Sequence, residues 1–297
     1  MQEGLFLYTH DVSPYDGGVY HQAPLLLPVF SLLPEYHLKP FWTHLVYLLA
    51  DIFTALALVT IADSNISRVS RLFTSTRKDS HWTGTAIAAA YLLNPLTVAT
   101  CLAQSTSVFT NCAILQAVAA AVSGNAFNTV FAISVASYLS MYPVLLAPPL
   151  ALLCFDQMTS ASETSSSPVA FYTRYTAGLG VAISGLLYSS FLIMDSSWEF
   201  LSSTYGVQLT LSDLTPNVGL WWYFFIEMFD SFREFFLAVF WLHMSSYVVG
   251  LSIRVRYEHN CDCPKQMRLT LEQEAATLSN NKSSWYHCDL QAISQHF

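Results

Sequence analysis

The chain has 297 residues, of which 53% are hydrophobic, 14% aromatic and only 11% charged, with a net charge of −8. Soluble domains carry roughly 25% charged residues, so too few polar groups exist here to clothe a water-facing surface, and an all-α, membrane-embedded helical bundle is expected. The acidic balance and the absence of any basic stripe argue against a nucleic-acid partner.

In chain order, the first residues lack an apolar signal segment, and the chain is expected to open in a polar loop. The loop 8–22, YTHDVSPYDGGVYHQ, gathers His10, Asp11, Ser13, Tyr15, Asp16 and His21 around the turn formers Pro14, Gly17 and Gly18. Two carboxylates at a membrane face suit a lipid-linked sugar transferase, where a base takes a proton from the acceptor hydroxyl. Turn chemistry explains Asp11 and Ser13 before Pro14 as well, so both readings stay open. Residues 23–33 are apolar but short and broken by Pro24 and Pro28, as in a re-entrant or interfacial piece.

Spans of about 20 apolar residues are expected near 41–62, 84–103, 108–125, 126–155, 177–194 and 221–251. The 126–155 run is too long for one helix and is interrupted at Pro143 and Pro148-Pro149, so it reads as two segments or one kinked helix. Counted as two crossings, it brings the total to about seven. Asp51 sits mid-span, where a charge costs at least about 2.5 kcal/mol, so it should face the bundle interior, either as a site residue or bonded to Asn94, Asn111 or Gln116. Asn94-Pro95 should kink its helix, with the asparagine side chain serving a freed backbone group.

Arg68, Arg71, Arg77, Lys78, Arg174, Arg254 and Arg256 then fall on one side, the cytosolic one, whereas 195–219 contains no lysine or arginine and is lumenal together with 8–22. The sequon at Asn65 is cytosolic in this topology and unmodified. Residues 1–257 form one membrane domain, and 258–297 a polar tail expected to be disordered. Cys261, Cys263, His287 and Cys288 could be drawn as zinc ligands, but their spacing fits no usual framework. Cys101, Cys112 and Cys154 lie in apolar runs as small hydrophobes. No cofactor and no metal are expected, and none of the motifs GxSxG, HExxH, GxxxxGK[ST] or GxGxxG occurs.

The stretch 212–230, SDLTPNVGLWWYFFIEMFD, joins a capping sequence to a wall of aromatics. Asp213 or Thr215 can cap, Pro216 suits the first helical turn, and Trp221, Trp222 and Tyr223 follow at the lumenal boundary, level with Trp198 and Phe200. One reading is an ordinary aromatic belt. The other is a lipid headgroup site built from Asp213, Pro216, Asn217, Trp221, Trp222, Tyr223 and Glu227.

This block, together with VSPYDGGVYHQAPLLLP, YLLNPLT and YPVLLAPP, resembles the PIG-U family of membrane subunits of GPI transamidase, over about residues 8–257. The resemblance implies an endoplasmic reticulum protein in a complex that replaces a C-terminal signal with a glycosylphosphatidylinositol (GPI) lipid. The nucleophilic cysteine would belong to another subunit. This chain would help hold or present the GPI lipid, on a fold similar to the GT-C glycosyltransferases. The family has a span before the SPY loop and several after the position of Tyr257, so the chain reads as a shortened gene product. A GT-C mannosyltransferase of the same pathway remains the alternative, carried by Asp11 and Asp16. A transporter built on broken helices would explain Asn94-Pro95, but no inverted repeat is visible.

Overall fold

The computed structural model describes residues 2–16, 20–33, 39–64, 82–161, 167–194, 196–210 and 220–260, and every regular element among them is helical. Helix α1 spans Gln2–Thr9 and α2 spans Leu26–Ser31. A long helix α3, Lys39–Asp63, is followed by α4, Gly84–Leu92, and α5, Pro95–Leu102. Helices α6, Ser107–Val122, and α7, Ala126–Leu139, form an antiparallel pair. A 3-10 turn, Tyr142–Leu146, leads into α8, Ala147–Ala161, and α9 runs Pro168–Ile193. The short helix α10, Glu199–Leu201, passes through a π-helical turn, Ser202–Gly206, into α11, Val207–Thr210. Helix α12 spans Leu220–Ile226 and α13 spans Asp230–Asn260. Residues 1–252 form one compact unit, and the last turns of α13 belong to a second, 253–297.

Local chemistry sets these boundaries. Thr83, Asn94 and Asn125 hold extended backbone ahead of α4, α5 and α7, and each side chain accepts from a backbone N–H of the first turn. Helices α1, α5 and α6 stop at Asp11, Gln104 and Gly124, all at positive φ. At each stop, two backbone N–H groups close back on carbonyls of the last turn, as in Val12 to Leu7 and Asn125 to Ala120.

Among the described residues, three helices are long and apolar enough to cross a membrane: Phe41–Asp63, Pro168–Ile193 and Ser231–Val255. The pair α4–α5 makes a fourth if its 51° bend lies within one span. Helices α6 and α7 are apolar but shorter. The sequence windows differ from this in identifiable ways. The 126–155 run is two helices, and it divides at the 3-10 turn around Pro143, while Pro148-Pro149 sit harmlessly in the first turn of α8. The last window is broken at 227–229, between α12 and α13. The chain opens in helix α1, not in a polar loop. Residues 258–260 continue α13, and 261–297 lie outside the described residues, as does Asn65.

The main core joins α6, α7, α8 and α9 through Ala117, Ala121, Ile133, Ala136, Cys154 and Phe171. Small residues let helix backbones approach closely, which is how helices associate in lipid, where apolar burial has no driving force of its own. Buried hydroxyls in this setting bond backward along their helices: Thr54 to Ala50, Thr129 to Asn125, Ser134 to Val130. Asp51 is buried, as its mid-span position requires, but its partner is the Tyr91 hydroxyl at 3.2 Å. The expected amides serve elsewhere: Asn94 caps α5 and Gln116 donates to the Phe53 carbonyl at 2.8 Å. Tyr91 is in the last turn before the α4–α5 bend, so this bond ties the bend to α3.

Ile133 is fully buried in the main core and Val181 lies exposed on α9. Ile133→Ala should therefore cost about 2–5 kcal/mol, read from thermal unfolding in detergent micelles, whereas Val181→Ala should stay within about 0.5 kcal/mol.

Candidate functional site

At one end of the bundle, loop 8–22, the start of α2, the ends of α7 and α9 and the π-turn meet in a knot of hydroxyls and rings. Gln22 is its centre. Its carbonyl accepts from the Tyr15 hydroxyl at 2.8 Å and from the Thr204 hydroxyl at 3.4 Å. Its side-chain oxygen accepts from the Thr106 hydroxyl, just ahead of α6, at 2.8 Å. Next along the chain, Nδ1 of His21 is 2.7 Å from the Ser203 carbonyl, so that nitrogen carries the proton and donates.

Tyr138, at the end of α7, is the second hub. Its hydroxyl accepts from the Leu25 N–H at 3.0 Å and pairs with the Ser190 hydroxyl of α9, while its carbonyl accepts from the Tyr205 hydroxyl. The wide π-turn aims Thr204 and Tyr205 at these two hubs; such turns interrupt regular helices mostly at functional sites. Burial pushes the phenols of Tyr15, Tyr20 and Tyr205 up from their ordinary value, so they stay neutral donors across the physiological range.

Rings continue outward from the knot. Tyr20, Tyr15, Phe200, Trp198, Phe191 and Tyr188 follow one another at centroid separations from 4.6 to 6.3 Å. The inner members are buried, whereas Trp198 is 48% and Tyr188 58% exposed. Helix α1 closes against the inner end: a Cβ on Gly4 would stand 2.4 Å from the Tyr20 ring.

The residues expected from sequence divide three ways. Tyr15, Pro14 and His21 enter the knot, Pro14 and Tyr15 as buried residues. Asp11, Ser13 and Asp16 are exposed, and Asp11 holds the positive-φ position that ends α1. Tyr223 and Glu227 are exposed on and just after α12, whose Phe225 turns inward at 2% exposure. Asp213, Pro216 and Asn217 lie outside the described residues, as do the side chains of Trp221 and Trp222. No cluster of three metal-ligating side chains occurs among the described residues. Gln22, Thr106, Tyr138, Ser190, Thr204 and Tyr205 were missed; single hydroxyls and amides carry no spacing signal until the fold collects them.

The profile described as "GPI transamidase subunit PIG-U" matches residues 1–266. The chain belongs to the PIG-U family. It is 33% identical over 274 residues to the human GPI-anchor transamidase component PIGU, a match covering 86% of this chain and 61% of that protein. It is 32% identical over 255 residues to the GPI transamidase component GAB1 of Saccharomyces cerevisiae, covering 86% and 58%. The chain therefore spans less than two thirds of the length of these relatives. The PIG-U match takes in α1, ahead of the motifs that first carried the resemblance, and runs on past Tyr257.

Because the unfolded phenols ionise near pH 10 and the folded ones resist it, stability should be intact below about pH 10 and fall above it. Tyr15→Phe should lessen that fall, checked by unfolding at stepped pH. In a double-mutant cycle, Thr106→Val and Gln22→Leu should couple by about 0.5–1.5 kcal/mol, measured by the same unfolding.

Proposed function

We propose that this chain is a non-catalytic subunit of GPI transamidase in the endoplasmic reticulum membrane, where it binds the GPI lipid and presents it for attachment to protein C-termini. Its partners are the other subunits of that complex, the GPI lipid and the bilayer. The helices α3, α4–α5, α6, α7, α8, α9 and α13 make seven crossings in a GT-C-like arrangement, with 8–22 and 195–219 in the lumen. Asp213, Pro216, Asn217, Trp221, Trp222, Tyr223 and Glu227 bind the lipid.

The single observation that supports the reading best is the ring ladder, buried at Tyr15 and Phe200 and half exposed at Trp198 and Tyr188. Amphipathic rings favour the depth where a glycolipid passes from acyl chain to sugar. Hydroxyl and amide groups beside the ladder are the chemistry that sugar hydroxyls pair with. Membership of a family of GPI transamidase subunits is what favours GPI as the glycolipid in this reading.

Profiling of GPI intermediates tests this against the mannosyltransferase alternative. Loss of the protein should accumulate complete GPI; an incomplete glycan would overturn the reading. Asp11→Asn with Asp16→Asn should leave attachment intact. Asn217→Ala or Trp222→Ala should lower retained GPI about tenfold in the purified complex while co-purification of the other subunits persists. A glycosylation acceptor inserted between 196 and 210 should be modified, and an unmodified one would reverse the topology.

A further inference from the structure

Between α6 and α7 the bundle leaves a cavity of about 710 Å³. Its walls are small side chains, Ala113, Ala120 and Ala132, together with the rings of Phe30, Phe109 and Phe131. One end lies at the knot, against Leu25 and Tyr138, and the other reaches Thr60, Asn125 and Asn128 at the opposite ends of the same helices. The wall follows the length of α6, whose 16 residues rise about 24 Å.

Three physical points decide what fits. Water is poorly held along the middle of the wall, because Tyr138 uses its hydroxyl on Leu25 and Ser190, Gln116 donates its amide to Phe53, and Asn125 and Asn128 lie at the far end. A helix does not fit, because one is about 10 Å across with side chains, so even three turns fill over about 1,200 Å³. A slender apolar chain does: half of a hydrocarbon core about 30 Å thick is about 15 Å deep, shorter than the wall. Left empty, the alanine and phenylalanine surfaces lose their dispersion contacts on one side.

We propose that this cavity binds one acyl chain of a diacyl glycerophospholipid drawn from the leaflet at the knot end, with the headgroup at the mouth beside Leu25 and Tyr138. The chain enters lengthwise and terminates before the polar side chains of Asn125 and Asn128. The mouth shares Tyr138 with the knot, while the acyl-chain wall along 109–135 is not among the residues assigned above to the lipid.

The test is photolabelling of the full chain in membranes of expressing cells, using a phosphatidylcholine with a diazirine on one acyl chain. Helix α13 is the internal reference for bulk lipid, since its apolar window is unburied. Labelling over 109–135, mapped by peptide mass spectrometry, should exceed that of α13 by about tenfold, the effect of about 1.4 kcal/mol of preference. Ala120→Trp with Ala132→Phe should bring it down to the α13 level while α13 labelling is unchanged. Equal labelling of both regions in the unmutated chain, or undiminished labelling in the filled variant, would overturn the proposal. Should the filled variant lose α13 labelling through misfolding, Ala120→Val alone decides, with reduced labelling expected and unchanged labelling contradicting it. The probe carries no glycan, so a failure here leaves the GPI reading standing, and a failure of GPI retention leaves this site standing.

Discussion

Everything at the knot end depends on backbone carbonyls being satisfied where regular structure stops. Where the loop preceding α2 leaves regular structure, its Gln22 carbonyl relies on side-chain donors. Tyr15, itself a buried side chain of that loop, and Thr204 of the π-turn both donate to it. Because Gln22 and Thr204 are 182 residues apart in sequence, satisfying one carbonyl also ties the loop before α2 to the segment after α9. Tyr138 does the same for the Leu25 N–H and for α9. The ring ladder then rests on a rigid base, with its inner members Tyr15 and Phe200 held by the same contacts that hold the loop.

The bundle beneath obeys different chemistry. Between α6, α7, α8 and α9, alanines pack closely among larger side chains such as Ile133, Leu150 and Phe171. The cavity opens on neighbouring positions of α6 and α7, among them Ala113, Ala120 and Ala132. Asp51 shows the exception that lipid allows: an acid deep in a span, accommodated by side-chain hydrogen bonds that include the Tyr91 hydroxyl at a bend.

The chain belongs to the PIG-U family, and a glycolipid role for its polar, aromatic end is the reading proposed above. The exposed Asp11 and Asp16 are not held against any buried group, and Asp11 serves the backbone by ending α1. Carboxylates are common both in active sites and in turns, and Asp11 fills a turn role through its positive φ.

Composition alone determined the membrane class, because a chain with 11% charged residues cannot hydrate its own surface. Local sequence also determined the breaks: Asn94-Pro95 and Pro143 act on their own turns of helix, and capping is a contact between residues two or three apart. The burial of Asp51 was legible for the same reason, since its cost depends on depth alone. Its partner was not, nor were Gln22, Thr106, Tyr138 and Thr204, because a hydroxyl 40 to 182 positions away leaves no periodic trace. Only the tertiary structure chose those pairs, by bringing unsatisfied carbonyls and hydroxyls within 3.5 Å of one another where water is scarce and an unmade hydrogen bond costs most.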